Sequence, residues 1–359
     1  MTGEVVQFYA FDVANEIVTA RLGSILGCRL QPLELRLKYA YPRDVAFHRP
    51  LAAELVEPQA RFGGQPLRLQ VRIFAVGAVS LVVRVPFCVG SLGELHASHE
   101  PRLDDGRTLD QYARQRLAEI RAELEAALVR PSARAEPEVY TVFCFTDLSC
   151  DGDVARWLSR ERAAIAGLLS DLPAERLSDA QIAEVHRYTL SLEKSDAVVI
   201  DWDAALICDL TGFSDDLLYV LEMANLQLEE FKMMDQLLDD ALDRAYIDLD
   251  RRALSLIRTP SRTLRQLRWL RVDLTRLAEE VTNITKFVGD WFLARVYLAA
   301  RERFHLDRWR QSVEQRLGQL DQLYSVVQSE AFERRMLFLE FLIVVFFAID
   351  LVGLFWFRK

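Results

Sequence analysis

RLQVRIFAVGAVSLVVRVPF, residues Arg68–Phe87, sets the fold class. β-Branched residues dominate it and Gly77 interrupts it, so it reads as a strand, a turn and a second strand. Working outward, VVQFYAFDV (Val5–Val13) and EVYTVFCF (Glu138–Phe145) are also strand-like, and DAVVIDWDAALICDL (Asp196–Leu210) supplies one or two more strands. Helical signals lie between them. NEIVTARLGSIL (Asn15–Leu26) predicts a short helix opening at an Asn N-cap. Thr108–Val129, Asp153–Ser170 and Ser178–Leu192 carry apolar residues at helical spacing with charged residues elsewhere. No strict βαβαβ succession of buried strands appears. The expected fold class is therefore α+β, with an N-terminal mixed sheet domain over 1–212 and room for a subdomain boundary near 130–137.

Beyond residue 212 the strand signal stops. Leu217, Leu221, Ala224, Leu228, Phe231, Leu238, Leu242 and Ala245 follow alternating steps of four and three, with Asp235 as the break. A second series runs Leu267, Leu270, Leu274, Leu277, Val281, Ile284, Val288 and Trp291, and a third runs Val313, Leu317, Leu320, Tyr324 and Val327. Such steps indicate helices packed along a narrow seam. The region 213–332 is expected to be a long helical hairpin or coiled coil, turning near Thr259–Pro260.

The last segment, 333–359, contains MLFLEFLIVVFFAIDLVGLFWF (Met336–Phe357), broken only by Glu340 and Asp350. At 1.5 Å per residue this is ~33 Å of helix, close to the thickness of a hydrocarbon core. Trp356 and the closing Arg358 and Lys359 suit a helix end at the headgroup level. A single C-terminal transmembrane helix is expected, with membrane lipid as a partner and the N-terminal region cytoplasmic. The bland alternative is a helix buried in a larger core. Glu340 and Asp350 fall about 80° apart on the helix. An acid in lipid is costly, so these two predict helix–helix contact and a homo-oligomer.

Composition narrows the chemistry. The 359 residues carry a net charge of −9, which disfavours non-specific binding to a polyanion. Five cysteines, Cys28, Cys88, Cys144, Cys150 and Cys208, form no Cys-x-x-Cys pair and read as reduced structural thiols. Met1–Asp12 has no basic region before an apolar core and does not read as a signal peptide. His96, His99 and Glu100 resemble half a metal site, but they precede Pro101 in an expected loop and no second cluster completes the set. Asp147–Asp153 (DLSCDGD) lacks calcium-loop spacing and reads as a helix cap. With no phosphate loop, dinucleotide fingerprint or nucleophile elbow, no catalytic residue, cofactor, metal or small-molecule substrate is expected. One patch stands out. Arg251, Arg252, Arg258, Arg262, Arg265, Arg268 and Arg271 occur without an intervening acid at the expected hairpin tip. They offer a docking surface for RNA, lipid headgroups or a protein partner, or else they pair with the acids Asp239–Asp250.

Leu339–Glu340, nine apolar residues and then Asp350 resemble the "required for meiotic nuclear division" family, as does the helix Leu306–Tyr324 before it. Ile73–Val83 is similar to that family's strand–Gly–strand. The resemblance implies an α+β domain, a long helical region, one terminal membrane helix and self-assembly. The expected function is a non-enzymatic membrane-anchored scaffold that self-associates through its coiled-coil and terminal helices. The alternative is a membrane tether for RNA or a ribonucleoprotein through Arg251–Arg271.

Overall fold

The computed structural model describes residues 1–33, 50–132, 136–148, 153–210, 214–252, 272 and 291–356. Contacts divide the chain into two compact units, Met1–Phe231 with Leu277–Arg308, and Lys232–Arg276 with Trp309–Lys359. The strands are β1 (Thr2–Asp12), β2 (Ala14–Ile17), β3 (Ser24–Ile25), β4 (Cys28–Arg29), β5 (Gln31–Pro32), β6 (Leu51–Phe62), β7 (Gln65–Ile73), β8 (Ala78–Cys88), β9 (Leu128–Pro131), β10 (Glu138–Asp147), β11 (Thr189–Leu190), β12 (Asp196–Ile200) and β13 (Ala204–Asp209). The helices are α1 (Leu109–Leu124), α2 (Val154–Arg160), α3 (Arg162–Leu169), α4 (Asp179–Val185), α5 (Ser214–Arg252), α6 (Trp291–Arg303) and α7 (Leu306–Trp356).

In the first unit a nine-stranded sheet runs in the order β11-β12-β13-β10-β1-β8-β7-β6-β5. Its neighbours are antiparallel except β10 and β13, which are parallel. Successive side chains of a strand point to opposite faces, so a central strand must be apolar on both when both are covered. β1 meets that demand, since Val5 to Phe11 are buried throughout. Tyr9 and Phe11 pack with Leu69, Val71 and Leu81 of the sheet and with Leu117, Ile120 and Leu124 of α1. Val5 joins Phe143 and Phe145 against Trp157 of α2 and Ile165, Leu168 and Leu169 of α3. On the other face Ala10, Phe74 and Ala78 meet Leu226 of α5, and Tyr140 stacks edge-on against Phe304 with ring centroids 5.0 Å apart.

The strand–turn–strand of Arg68–Phe87 is therefore β7 and β8, joined where Gly77 takes φ +106°. Asp196–Leu210 resolves into two strands, β12 and β13. The helix expected at Asn15–Leu26 is absent. That stretch forms β2, a 3-10 turn at Thr19–Arg21 and β3. Pairing of Ala14, Glu16 and Ile17 with β9 overrides the local Asn cap, because ladder bonds made through tertiary contact outweigh a weak propensity. The Asp153–Ser170 helix divides at Glu161 into α2 and α3, with the Asp153 carboxylate accepting the Arg156 N–H.

In the second unit Leu238 and Ala241 of α5 and Val313, Leu317 and Leu320 of α7 are buried. Asp235, the break in the first apolar series, faces Arg316 at 3.2 Å, and Arg316 also pairs with Asp239. The expected turn at Thr259–Pro260 lies outside the described residues. The expected transmembrane anchor over 333–359 is corrected. Among the described residues no helix is long and apolar enough to cross a membrane. A membrane location and a cytoplasmic assignment based on that anchor fall with it.

Gly77 gives the fold a direct test. A Cβ there would lie 1.7 Å from the Ala14 carbonyl oxygen, and φ is positive. Gly77→Ala is expected to destabilise the first unit by about 2 kcal/mol or more. Gly64→Ala, at φ +79° but with nothing within 4 Å, is expected to cost about 1 kcal/mol. Urea midpoints followed by circular dichroism check the difference.

Candidate functional site

Helix α7 presents the largest exposed apolar surface among the described residues. Ten large apolar side chains between Met336 and Ile349 are 45–70% exposed. At 100° per residue they point all around the helix, leaving no sector wider than about 60° without one. Their exposed area is on the order of 1,000 Å², taking ~150–250 Å² for each large side chain. A typical monomer's largest apolar patch is ~300–600 Å², and a standard interface buries ~800 Å² per partner. Glu340 is exposed within this stretch. Its neighbours three and four residues away, Met336, Leu337, Ile343 and Val344, are all apolar. Asp350 and Trp356 also lie on α7, with side chains outside those described. Of the arginine patch, Arg251 and Arg252 close α5 with their side chains not described, while Arg258, Arg262, Arg265, Arg268 and Arg271 lie outside the described residues.

Inside the first unit the sheet face under α5 holds a buried ion pair. Arg72 of β7 reaches Glu222 of α5, and their side chains are 6% and 0% exposed. Arg72 Nε also donates to Gln70 Oε1 at 2.7 Å. The Ser80 hydroxyl, on the residue opposite Arg72 in the ladder, and Glu222 Oε1 are buried without a hydrogen-bond partner among the described residues. A second ionic junction ties the end of α6 to the sheet. Arg303 donates to Glu184 at 2.9 Å and pairs with Asp201, with its guanidinium 5.9 Å from the Tyr188 ring centroid.

Sequence reading missed both junctions. Gln70 and Arg72 alternate with Leu69, Val71 and Ile73, a pattern that normally marks a solvent face. The available signal was Glu222, an acid on the apolar stripe of YVLEMANL (Tyr219–Leu226).

Burial raises Tyr9, Tyr140 and the Cys144 thiol above their usual ranges, and raises Tyr112 and Tyr297 to about 12. These groups stay protonated at neutral pH, the wrong direction for a base or nucleophile there. His99 Nε2 lies 2.7 Å from the Leu168 carbonyl oxygen, and His96 Nδ1 lies 3.4 Å from Asp171. Among the described residues no group of three His, Cys, Asp or Glu is placed to hold a metal ion.

The fold so described is an α+β unit with a sheet covered on both faces, followed by long helices. The chain belongs to the family described as "Uncharacterized protein MJ0711, N-terminal domain", whose sequence profile matches residues 2–215. It is similar to Uncharacterized protein MJ0711 of Methanocaldococcus jannaschii, 20% identical over 215 residues, which is 60% of this chain and 65% of that protein. The matched stretch thus spans just under two thirds of that relative. No solved structure matches the chain. The resemblance to the "required for meiotic nuclear division" family is overturned. It rested mainly on apolar and acidic spacing near the C-terminus, whereas the family match covers the sheet and the helices on it.

The buried pair supplies a test. Arg72→Met leaves Glu222 buried without its ionic partner and is expected to cost about 3–5 kcal/mol. Arg72→Met with Glu222→Met removes both charges and is expected to recover most of that loss. Denaturant unfolding of the two variants beside the native chain measures the coupling.

Proposed function

We propose that this chain is a non-enzymatic scaffold that self-associates through the Met336–Ile349 stretch of α7. The observation that carries the reading is the apolar surface on every side of that stretch, with an area above what a monomer normally leaves in water. A helix apolar all round is stable in water only when other apolar surface covers it. A second copy is the occupant this reading assigns, because the area matches one side of a standard interface and each copy brings the same surface. Each covered CH₂ contributes about 0.8 kcal/mol, so the stretch is ample to drive association. The family match, which ends at residue 215, leaves this segment outside it, so the scaffold reading rests on α7 alone.

Sedimentation of the full chain in detergent-free buffer is expected to show a concentration-dependent oligomer. Ile343→Asp with Phe347→Asp should shift it to monomer while the thermal unfolding of the first unit stays unchanged. A native chain that is monomeric, or that floats with phosphatidylcholine vesicles and self-associates only there, would overturn the proposal. So would an oligomer indifferent to both substitutions.

A further inference from the structure

We infer that the outward face of α6 is a contact between two copies of this chain, made as an antiparallel pair of α6 helices about a two-fold axis at Leu298. The contact belongs to the first unit and is separate from the α7 surface on which the scaffold reading rests.

Trp291, Arg295, Leu298 and Glu302 follow steps of four, three and four. At 100° per residue they fall within a sector of about 60°, and all four are exposed. On the other side of the same helix Phe292, Leu293, Val296, Tyr297 and Ala300 are buried. The face is therefore what α6 leaves to water once it has docked on its own unit. Two of its members are out of keeping with a solvated surface, since Trp291 is 56% exposed and Leu298 47%. Trp291 closes an apolar series that by periodicity alone should pack inward. Its ring instead carries the Arg295 guanidinium, 5.1 Å from the centroid.

Charge decides the occupant. Arg295 stands three residues before Leu298 and Glu302 four residues after it, a nearly symmetric placement of opposite signs. A second α6 laid antiparallel and centred on Leu298 sets Arg295 of each copy opposite Glu302 of the other, with Leu298 against Leu298. A two-fold contact is self-complementary, so one surface supplies both halves. A parallel pair in register would set Arg295 on Arg295 and Glu302 on Glu302, and like charges at a contact are costly. Glu302 also takes a hydrogen bond from the Tyr188 hydroxyl, which leaves its carboxylate with acceptor capacity for a cation. In the antiparallel pair Trp291 reaches the far end of the facing helix. There His305 lies 5.3 Å from Trp202, which is itself 39% exposed.

Exposed ion pairs add little affinity and chiefly fix register. Two large apolar side chains per copy fall well short of the ~800 Å² per partner of a standard interface. The contact is accordingly weak, and it does not survive the dilute conditions in which the α7 substitutions leave a monomer.

Oxidative cross-linking tests the pair apart from α7. Leu298→Cys is placed in the Ile343→Asp, Phe347→Asp chain and oxidised with copper–phenanthroline in air at millimolar protein concentration. Peptide mass spectrometry is expected to find a disulfide joining position 298 of two copies. Adding Arg295→Glu, or adding Glu302→Arg, is expected to cut its yield about tenfold by facing like charges. Adding both together reverses every pair and is expected to restore the yield to within about twofold. Circular dichroism of each variant checks that the first unit is folded. No disulfide at position 298, as for a face that serves a different partner, overturns the proposal. So does a yield indifferent to either charge reversal, or a double reversal as poor as the single ones. None of these outcomes touches the scaffold reading, which stands or falls on sedimentation of the chain with α7 intact.

Discussion

Strand β1 is paired along both edges and covered on both faces, and the first unit depends on that position. β8 lies along one edge and β10 along the other, so its backbone groups are used within the sheet. Seven successive buried residues, Val5 to Phe11, then include a single strongly polar side chain, Gln7. Burying an amide without partners would cost several kcal/mol. Its Nε2 donates to the Ser98 and His99 carbonyls and to Thr141 Oγ1 at 3.1–3.3 Å, and its Oε1 accepts from Tyr9. The His96–His99 stretch is thereby tied to the middle of the sheet through its carbonyl oxygens. That gives it a structural role which its histidines alone would not suggest.

A sheet face can stay polar in water or be covered by a helix, and this chain chooses cover with charges retained. Arg72 sits where α5 crosses, and Glu222 answers it. Apolar residues of the same volume would serve stability as well or better. The pair instead restricts how α5 can lie, since sliding the helix by one turn would strand both charges. Asn225, one turn along, makes the same kind of local bond, its Nδ2 donating to the Glu138 carbonyl at 3.3 Å. Arg303 does the equivalent for α6, gripping acids from α4 and from the end of β12.

Strands rich in β-branched residues were legible because their burial on both faces writes itself as an apolar run, as in Val79–Val83. β6 was not. Its Leu51–Phe62 stretch mixes Glu54, Glu57 and Pro58, and its register with β7 shifts between Glu57 and Arg61, so the alternation that identifies a strand is interrupted. The Asn15 helix failed for the opposite reason, because a clear local cap signal was overridden by pairing with residues more than a hundred positions away. Of the apolar series read over 213–332, Leu238, Leu317 and Leu320 are buried, and Asp235 reads as a defect until Arg316 is seen beside it. At α7 the sequence shows an apolar run but not what covers it, since lipid and a protein surface select the same side chains. The two internal ionic junctions were illegible, because each joins residues from distant elements and neither leaves a local pattern.

The first unit is discontinuous, and this has a consequence for how the molecule behaves as a whole. The chain passes from one unit to the other after Phe231, again after Arg276 and again after Arg308. No single cut separates the two. A ribosome that has released Phe231 has made every strand described here but has not yet made Phe304, the ring that stacks on Tyr140, nor Arg303, the cation between Glu184 and Asp201. The nascent sheet must therefore wait, with two acids and an aromatic ring uncovered, until a length of the other unit has been threaded out and the polypeptide comes back. Completion of the N-terminal body is in this sense a late event.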